Sequence, residues 1–398
     1  MSYGSGVTLT HQSGSFIQTS TDTSVINLGL GQPSPSLLPL SLIHDAASTA
    51  LGPGADRLLL QYGSIRGPRD FLRLLASFLE QPASPQVDES QLLVTGGTSI
   101  ALDMVSQVLA KPGDTVVCGD PTYFLAKGIF RDRGLQIRGI PVDHDGLQID
   151  HLESALEDGI RPAIVYCIPS FQNPRGVELC PKRAERLVDL AQYFGFIVIA
   201  DDPYTHLAFD GRVRSSMMDH DRGRGRVVSL GTFSKILGPG LRLGWAHAAP
   251  SLIERFSQYG PLRSGGGQNP VIATLVGATL ENGSLQTHIS RLRSTLKRRC
   301  DALAQSLRDE LPHCRFLRPN GGYFLWLDLG QGVHAHRLSE SARACGVTFT
   351  PGIRCGMDYP SPAHRHHARL SFAFYEVDEL RDAVGRLARA IGEAHHGA

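Results

Sequence analysis

Between residues 92 and 248 the chain repeats one pattern: a short, almost wholly apolar run, a polar turn, then a helical stretch. The runs are LLVTGG (92–97), TVVCGD (115–120), AIVYCIPS (163–170), FIVIADD (196–202), VVSLGTFSK (227–235) and RLGWAHA (242–248). A strand with one wet face alternates apolar and polar side chains. These runs do not, so they are expected to be buried on both faces, as strands of a mostly parallel sheet flanked by helices. Each run closes on small or acidic residues, which gathers polar groups at the carboxyl ends of the strands. Open α/β sheets bind their ligands at that edge.

After a long helical region at about 268–309 the pattern changes to an α+β tail, with FLRPNGGYFLWLDL, a helix near 334–345, VTFTPG, ARLSFAF and a final helix. A chain of 398 residues exceeds what one core usually fills. The expected division is an N-terminal arm at 1–24, a large domain at 25–295 and a small C-terminal domain at 296–398. The arm is rich in Ser, Thr and Gly and has no periodicity. Its start has neither a basic cluster nor an apolar segment, and no run reaches the roughly 18–20 residues that span a bilayer. Seven cysteines lie scattered without CxxC pairs, as expected of thiols in a reducing compartment. With a formal net charge of +1, bulk charge offers nothing to nucleic acid or an anionic membrane. A cytoplasmic protein is expected.

The stretch GTFSKILGPGLRLGW (231–245) places Lys235 directly after a buried-type strand, with Arg242 as the next charge. A desolvated amine has a lowered pKa and becomes a nucleophile for carbonyls. A guanidinium beside the hydroxyls of Thr232 and Ser234 matches a phosphate. An aldehyde that also carries a phosphate would account for both. VTGGTSIALDMV (94–105) runs from a strand through a Gly-Gly turn into a helix, whose N-terminus attracts anions. Thr98 or Ser99 would be its N-cap. FIVIADDPY ends a buried strand on Asp201 and Asp202, where a carboxylate is costly unless it is paired. A protonated pyridine nitrogen would be a suitable partner, whereas a Mg²⁺ site lacks a third acidic ligand. Tyr123 in CGDPTYF could stack on a flat ligand. Asn173 sits in the Pro-bounded loop CIPSFQNPRG, where an ordinary turn asparagine is the plain alternative.

In joint order and spacing these segments resemble the fold-type I pyridoxal-phosphate enzymes, in particular the class I/II aminotransferases of the aminoadipate and aromatic branch, over roughly 26–390. The resemblance implies a seven-stranded, mostly parallel large-domain sheet with a smaller α+β domain. It implies a Schiff base on Lys235, with that amine later moving the substrate proton. Asp201 would keep the cofactor's ring nitrogen protonated, Tyr204 and Asn173 would bond its phenolic oxygen, and Tyr123 would stack on its face. Gly97, Thr98, Ser99, Thr232, Ser234 and Arg242 would hold the phosphate. LQYGSIRG (60–67) resembles the segment whose tyrosine reaches the neighbouring subunit's phosphate, so Tyr62 implies a homodimer with shared sites. Arg369 in ARLSFAF would grip the substrate carboxylate. Gly31 in LGLGQPSP would lie near it, within a 25–55 segment that closes over the substrate.

The implied activity is transfer of an amino group from an L-amino acid to a 2-oxo acid. Elimination, γ-replacement, cyclisation or carbon–carbon bond formation on the same cofactor is the alternative. The branch also includes halves of bacterial transcription regulators, but the first 24 residues show no winged-helix pattern, so an enzyme is expected. Three departures bear on substrate: Arg175 stands where relatives often have Thr, Ser99 where Gln is common, and RSGGGQNP (263–270) where a bulkier segment is frequent. The glycines leave room for a large substrate or form a plain flexible loop. HRHHAR (364–369) and EAHHGA (393–398) lack thiol or carboxylate partners at metal spacing and are expected to be solvated histidines. No metal is expected.

Overall fold

The computed structural model describes residues 24–80, 86–357 and 362–396. Most of the 1–24 arm, and the end of the last histidine cluster, lie outside these residues. The first strand, β1 (Ile26–Asn27), joins the C-terminal part of the chain, as shown below. The central sheet has eight strands among the described residues: β2 (Leu92–Thr95), β3 (Thr115–Asp120), β4 (Gln136–Asp143), β5 (Gly146–Leu147), β6 (Pro162–Cys167), β7 (Ile197–Asp201), β8 (Val227–Thr232) and β9 (Gly244–Ala248). Their order is β2-β9-β8-β7-β6-β3-β4-β5. The run from β8 through β7, β6 and β3 to β4 is parallel, whereas β9 is antiparallel to both of its neighbours.

Six of these strands are the six apolar runs, and all residues of β2, β8 and β9 are buried. The count exceeds the expected seven because the two-residue β5 folds back on β4. β4 has the mixed sequence QIRGIPVD and is exposed at four of its eight positions. It lies next to the sheet edge, where one face is wet and continuous apolar character is not required.

The topology brings polar groups together at one edge. Asp120, Asp201 and Thr232 end β3, β7 and β8, while β9 runs the other way and starts there, two residues after Arg242. A helix over Thr98–Leu109 follows β2 through Gly96 and Gly97. Its N-cap is Gly97, at φ +94°, instead of Thr98 or Ser99, and no side chain bonds its first N–H groups. That backbone conformation suits glycine, and it leaves the helix N-terminus to an external anion.

The C-terminal part is built on a three-stranded antiparallel sheet, with β13 (His367–Ser371) between β10 (Phe324–Asp328) and β12 (Thr350–Pro351). Beside it β1 pairs in parallel with β11 (Val347–Thr348), carrying the buried Leu28 and Leu30 into this core. One unbroken helix, Ser284–Glu310, links the two parts, so the expected boundary near 295 falls inside it. The helix buries a stripe that includes Leu285, Ile289, Leu292, Leu296, Leu303 and Leu307. Two of its arginines are also buried. Arg293 donates to the carbonyls of His206 (2.7 Å) and Gly211 (2.8 Å), and Arg299 to that of Ala373 (2.7 Å).

Candidate active site

At the shared strand edge lies a cavity of about 590 Å³. Thr98, Ser99, Tyr123, Asn173, Asp201, Tyr204, Thr232, Ser234, Lys235, Arg242, Gly31 and Arg369 all line it. Gly97 sits just behind, since a Cβ there would lie 3.1 Å from Nη2 of Arg242. Tyr62 is not part of the lining. It is 79% exposed on the outer surface.

Lys235 leaves β8 through the turn after Ser234, and its Nζ donates to the carbonyl of Gly31 at 2.6 Å. Burial lowers its pKa to about 8; Asp201 opposes the shift, and Arg369 and Arg242 add to it. Arg242, at φ +48°, donates Nη2 to Gly96 O (2.8 Å) and Nη1 to Pro239 O (3.3 Å). Thr232 Oγ1 and Ser234 Oγ are 3.0 Å apart. Two hydroxyls, a guanidinium and an uncapped helix start thus form one anion cradle.

Behind the cavity wall the phenol of Tyr166 donates to Asp201 Oδ2 at 2.8 Å, while Oδ1 is buried without a partner among the described residues. Burial raises Asp201 to about 6 against the Tyr166 bond and the Lys235 charge. An orphaned carboxylate oxygen is what an added ring N–H would satisfy, so the residues present fit a phosphorylated pyridine aldehyde. Asp202, the next residue, lines a separate cavity of about 340 Å³, as strand alternation requires. Neither carboxylate forms an ion pair with a protein cation among the described residues. Burial lifts Asp202 to about 7, with Ser170 and Thr205 opposing.

At the other end Arg369 is 3% exposed on β13. It donates Nη1 to Asn173 Oδ1 (2.9 Å) and Nη2 to Gly29 O (2.6 Å) and Thr350 Oγ1 (3.2 Å). Its guanidinium lies 4.1 Å from the ring centroid of Phe324 and 5.6 Å from that of Phe124. Asn173 therefore braces the arginine as well as lining the cavity. Tyr204 is 3% exposed against Tyr323, and burial keeps its phenol protonated far above the ordinary range. Tyr123 is pushed up to about 12 by burial and Asp201.

Sequence reading missed Tyr166, Phe124, Phe324, Gly29 and Thr350. A tyrosine inside an apolar run reads as core, and only the spatial neighbour Asp201 gives it a role. Arg175 does not line the cavity. Its main-chain N–H bonds Gln172 Oε1 (2.9 Å), and its buried Nε has no partner among the described residues. Gly266 and Gly267 do not line the cavity of their own chain, and their backbones are closely packed. Gly266 and Gly267 have φ of +68° and +85°, and a Cβ on them would lie 2.9 Å from Gly63 O and 2.1 Å from Ser64 O. The run lets two backbones touch behind Tyr62. The expectation of solvated histidines fails at His364, which is 9% exposed and bonds Asp120 Oδ1 at 2.7 Å, because the 362–364 turn packs on the end of β3. No group of three His, Cys, Asp or Glu suited to a metal exists among the described residues.

Residues 23–387 match the family model for aminotransferase class I and II. The chain is 33% identical to an aromatic-amino-acid aminotransferase of Thermococcus litoralis, covering 93% of this chain and 88% of that one. It is 30% identical to a 2-aminoadipate transaminase of Thermus thermophilus (92% and 90% covered). Its fold matches the Pyrococcus horikoshii kynurenine aminotransferase, solved in complex with PMP, at a TM-score of 0.86 and 32% identity over 94% of this chain and 92% of that one. A lysine, an orphaned carboxylate oxygen and an anion cradle around one cavity, on a chain that the family model matches over residues 23–387, lead to one conclusion: this protein belongs to the class I and II aminotransferases, enzymes of fold type I that transfer amino groups with pyridoxal phosphate.

Proposed function

We propose that the enzyme takes the amino group from an L-amino acid with an aromatic or other apolar side chain and passes it to a 2-oxo acid, with the cavity residues in the following roles. The observation that carries this is the placement of Lys235, the open side of Asp201 and Arg369 around one cavity. When bound, pyridoxal phosphate supplies the aldehyde that receives the amino group and the ring that accepts the electron pair of the broken Cα–H bond.

Lys235 Nζ would hold the cofactor and, as a free amine, would take up the proton released from Cα. A lowered pKa lets it act as a base near neutral pH. Asp201 Oδ1 accepts the ring N–H, and Tyr166 fixes the other oxygen so that the carboxylate keeps one orientation. The Gly97–Ser99 turn, Thr232, Ser234 and Arg242 hold the phosphate, Tyr123 covers one ring face, and Asn173 with Tyr204 takes the phenolic oxygen. Arg369 receives the substrate carboxylate between Phe124 and Phe324, which keep water from the pair. Leu125, Ile168 and Pro239 give the rest of the wall an apolar surface for the side chain.

A homodimer completes the site in this reading. Leu40, Leu58, Leu60 and Tyr62 are all exposed, at 80%, 71%, 81% and 79%, on the surface that carries the 57–67 segment and the first helix. A second copy would cover them and offer Tyr62 of the partner subunit to the phosphate. Seven free thiols support the reading of a cytoplasmic setting. No described helix is long and apolar enough to cross a membrane.

A rapid-mixing spectral screen tests the reaction. An aromatic L-amino acid should convert the bound cofactor to pyridoxamine phosphate with stoichiometric 2-oxo acid, and added 2-oxoglutarate should restore the starting spectrum. Release of ammonia or loss of a side-chain substituent without pyridoxamine phosphate would overturn it.

A further inference from the structure

The helix that follows Tyr123 (Phe124–Asp132) carries a lysine for which amino-group transfer provides no task. Lys127 is 3% exposed, and its Nζ donates to the carbonyl of Arg354 at 3.0 Å and to that of Gly356. Those carbonyls lie more than 220 residues away in sequence, at the end of the turn that leads out of β12. Burial lowers the pKa of this amine, so the site spends stability on keeping a cation there.

The same segment is tied down twice more. Thr122 N–H donates to Cys355 O at 2.9 Å, and Asp120 bonds His364 at 2.7 Å. All three ties converge on the stretch that holds Tyr123 and Phe124. Phe124 in turn has the Arg354 guanidinium at 5.3 Å and that of Arg369 at 5.6 Å from its ring centroid.

We propose that Lys127 is a positioning residue for substrate: it pins the 354–356 backbone to the helix bearing Phe124, and so fixes the aromatic wall against which Arg369 presents its guanidinium. Lys127 touches neither cofactor nor substrate and acts only through Phe124, on the premise that Arg369 binds the carboxylate. A planar guanidinium held against aromatic rings loses little freedom when it binds a carboxylate bidentately, and a loosened wall returns that cost to the substrate.

The test titrates the holoenzyme with 3-phenylpropanoate, a carboxylate with no amino group, and follows the cofactor spectrum. Lys127→Met should raise its Kd about tenfold, as loss of a group with two charge-assisted bonds warrants. Pyridoxal phosphate affinity should stay at the parent value, and Lys127→Arg should recover most of the inhibitor binding. In a Phe124→Leu background the same substitution should cost much less, because the wall it serves is already gone. An unchanged Kd, a parallel loss of cofactor affinity, or effects that simply add would each overturn the role. If Lys127→Met does not fold, Lys127→Gln is read by the same criteria. Arg369→Ala is the control. If it weakens binding while the Lys127 variants do not, Lys127 alone is excluded. If it too has no effect, the carboxylate assignment falls.

Discussion

The Tyr166 phenol and the Asp201 carboxylate form a buried hydrogen bond of 2.8 Å that uses one carboxylate oxygen and leaves the other without a partner among the described residues. The pair sits on adjacent parallel strands, β6 and β7. Burial pushes the Tyr166 pKa well above its ordinary value, so it remains a donor throughout the working pH range. Tyr166 thus decides which oxygen of Asp201 is free.

Asp201→Asn should keep the cofactor, because the phosphate cradle is untouched, yet lose kcat by about 10³-fold or more, as expected when the charge that stabilises the electron sink is removed. Steady-state kinetics with the cofactor's absorbance as a loading control checks this. A variant with full kcat would refute the role.

The same carboxylate makes a stability prediction for the cofactor-free protein. Its pKa is raised from an ordinary 3.8 to about 6, so between these values the folded state binds the proton more tightly than the unfolded state. Stability therefore declines as pH rises from about 4 to above 6, with a contribution of up to about 3 kcal/mol. Asp201→Asn removes that term. The cofactor-free variant should unfold at higher urea than the parent at pH 8, with the gap closing toward pH 4. Loading with pyridoxal phosphate should reverse the order.

Lys235, at about 8, predicts how the cofactor is taken up. Only the neutral amine attacks an aldehyde, so the second-order rate of cofactor attachment should rise with pH and level off above about 8, falling tenfold per unit below it. Stopped-flow absorbance reads this directly. A midpoint near the free lysine value would show that the amine is not desolvated.

Arg369→Ala should raise KM for amino acids by about 10–1000-fold with a smaller change in kcat, since a buried bidentate charge pair is lost. Leu125, Ile168 and Pro239 remain, so side-chain preference among substrates should survive. Equal loss of kcat and kcat/KM would place the arginine in the transition state instead.

What could be read in the sequence was whatever local chemistry settles. Six strands announced themselves as apolar runs because both of their faces are covered. Lys235, Asp201 and Arg242 stood out because charge at the end of such a run needs a partner. β4 did not, since a strand beside the sheet edge needs no continuous apolar character. Tyr166, Lys127, Arg293 and Arg299 carry no such local signal. Each owes its role to a partner more than 30 residues away in sequence. The glycine run shows the same limit: its sequence reads as freedom, and its contacts show close packing.

That packing yields the last prediction. Gly267 combines a φ of +85° with a Cβ position 2.1 Å from Ser64 O, so Gly267→Ala must both strain its own backbone and push away the segment that begins at Tyr62. Positive φ on alanine costs about 1–2 kcal/mol, and the clash adds to it. The displaced segment carries the exposed Tyr62 and neighbours Leu58 and Leu60, so, on the proposed homodimer, the damage should appear first at the surface between subunits. Sedimentation should show a weaker dimer, and cofactor affinity should fall in step with dissociation. The alanine variant should recover cofactor affinity at high protein concentration, where association is restored. A dimer of unchanged stability with weakened cofactor binding would mean that the glycines serve the cavity of their own chain.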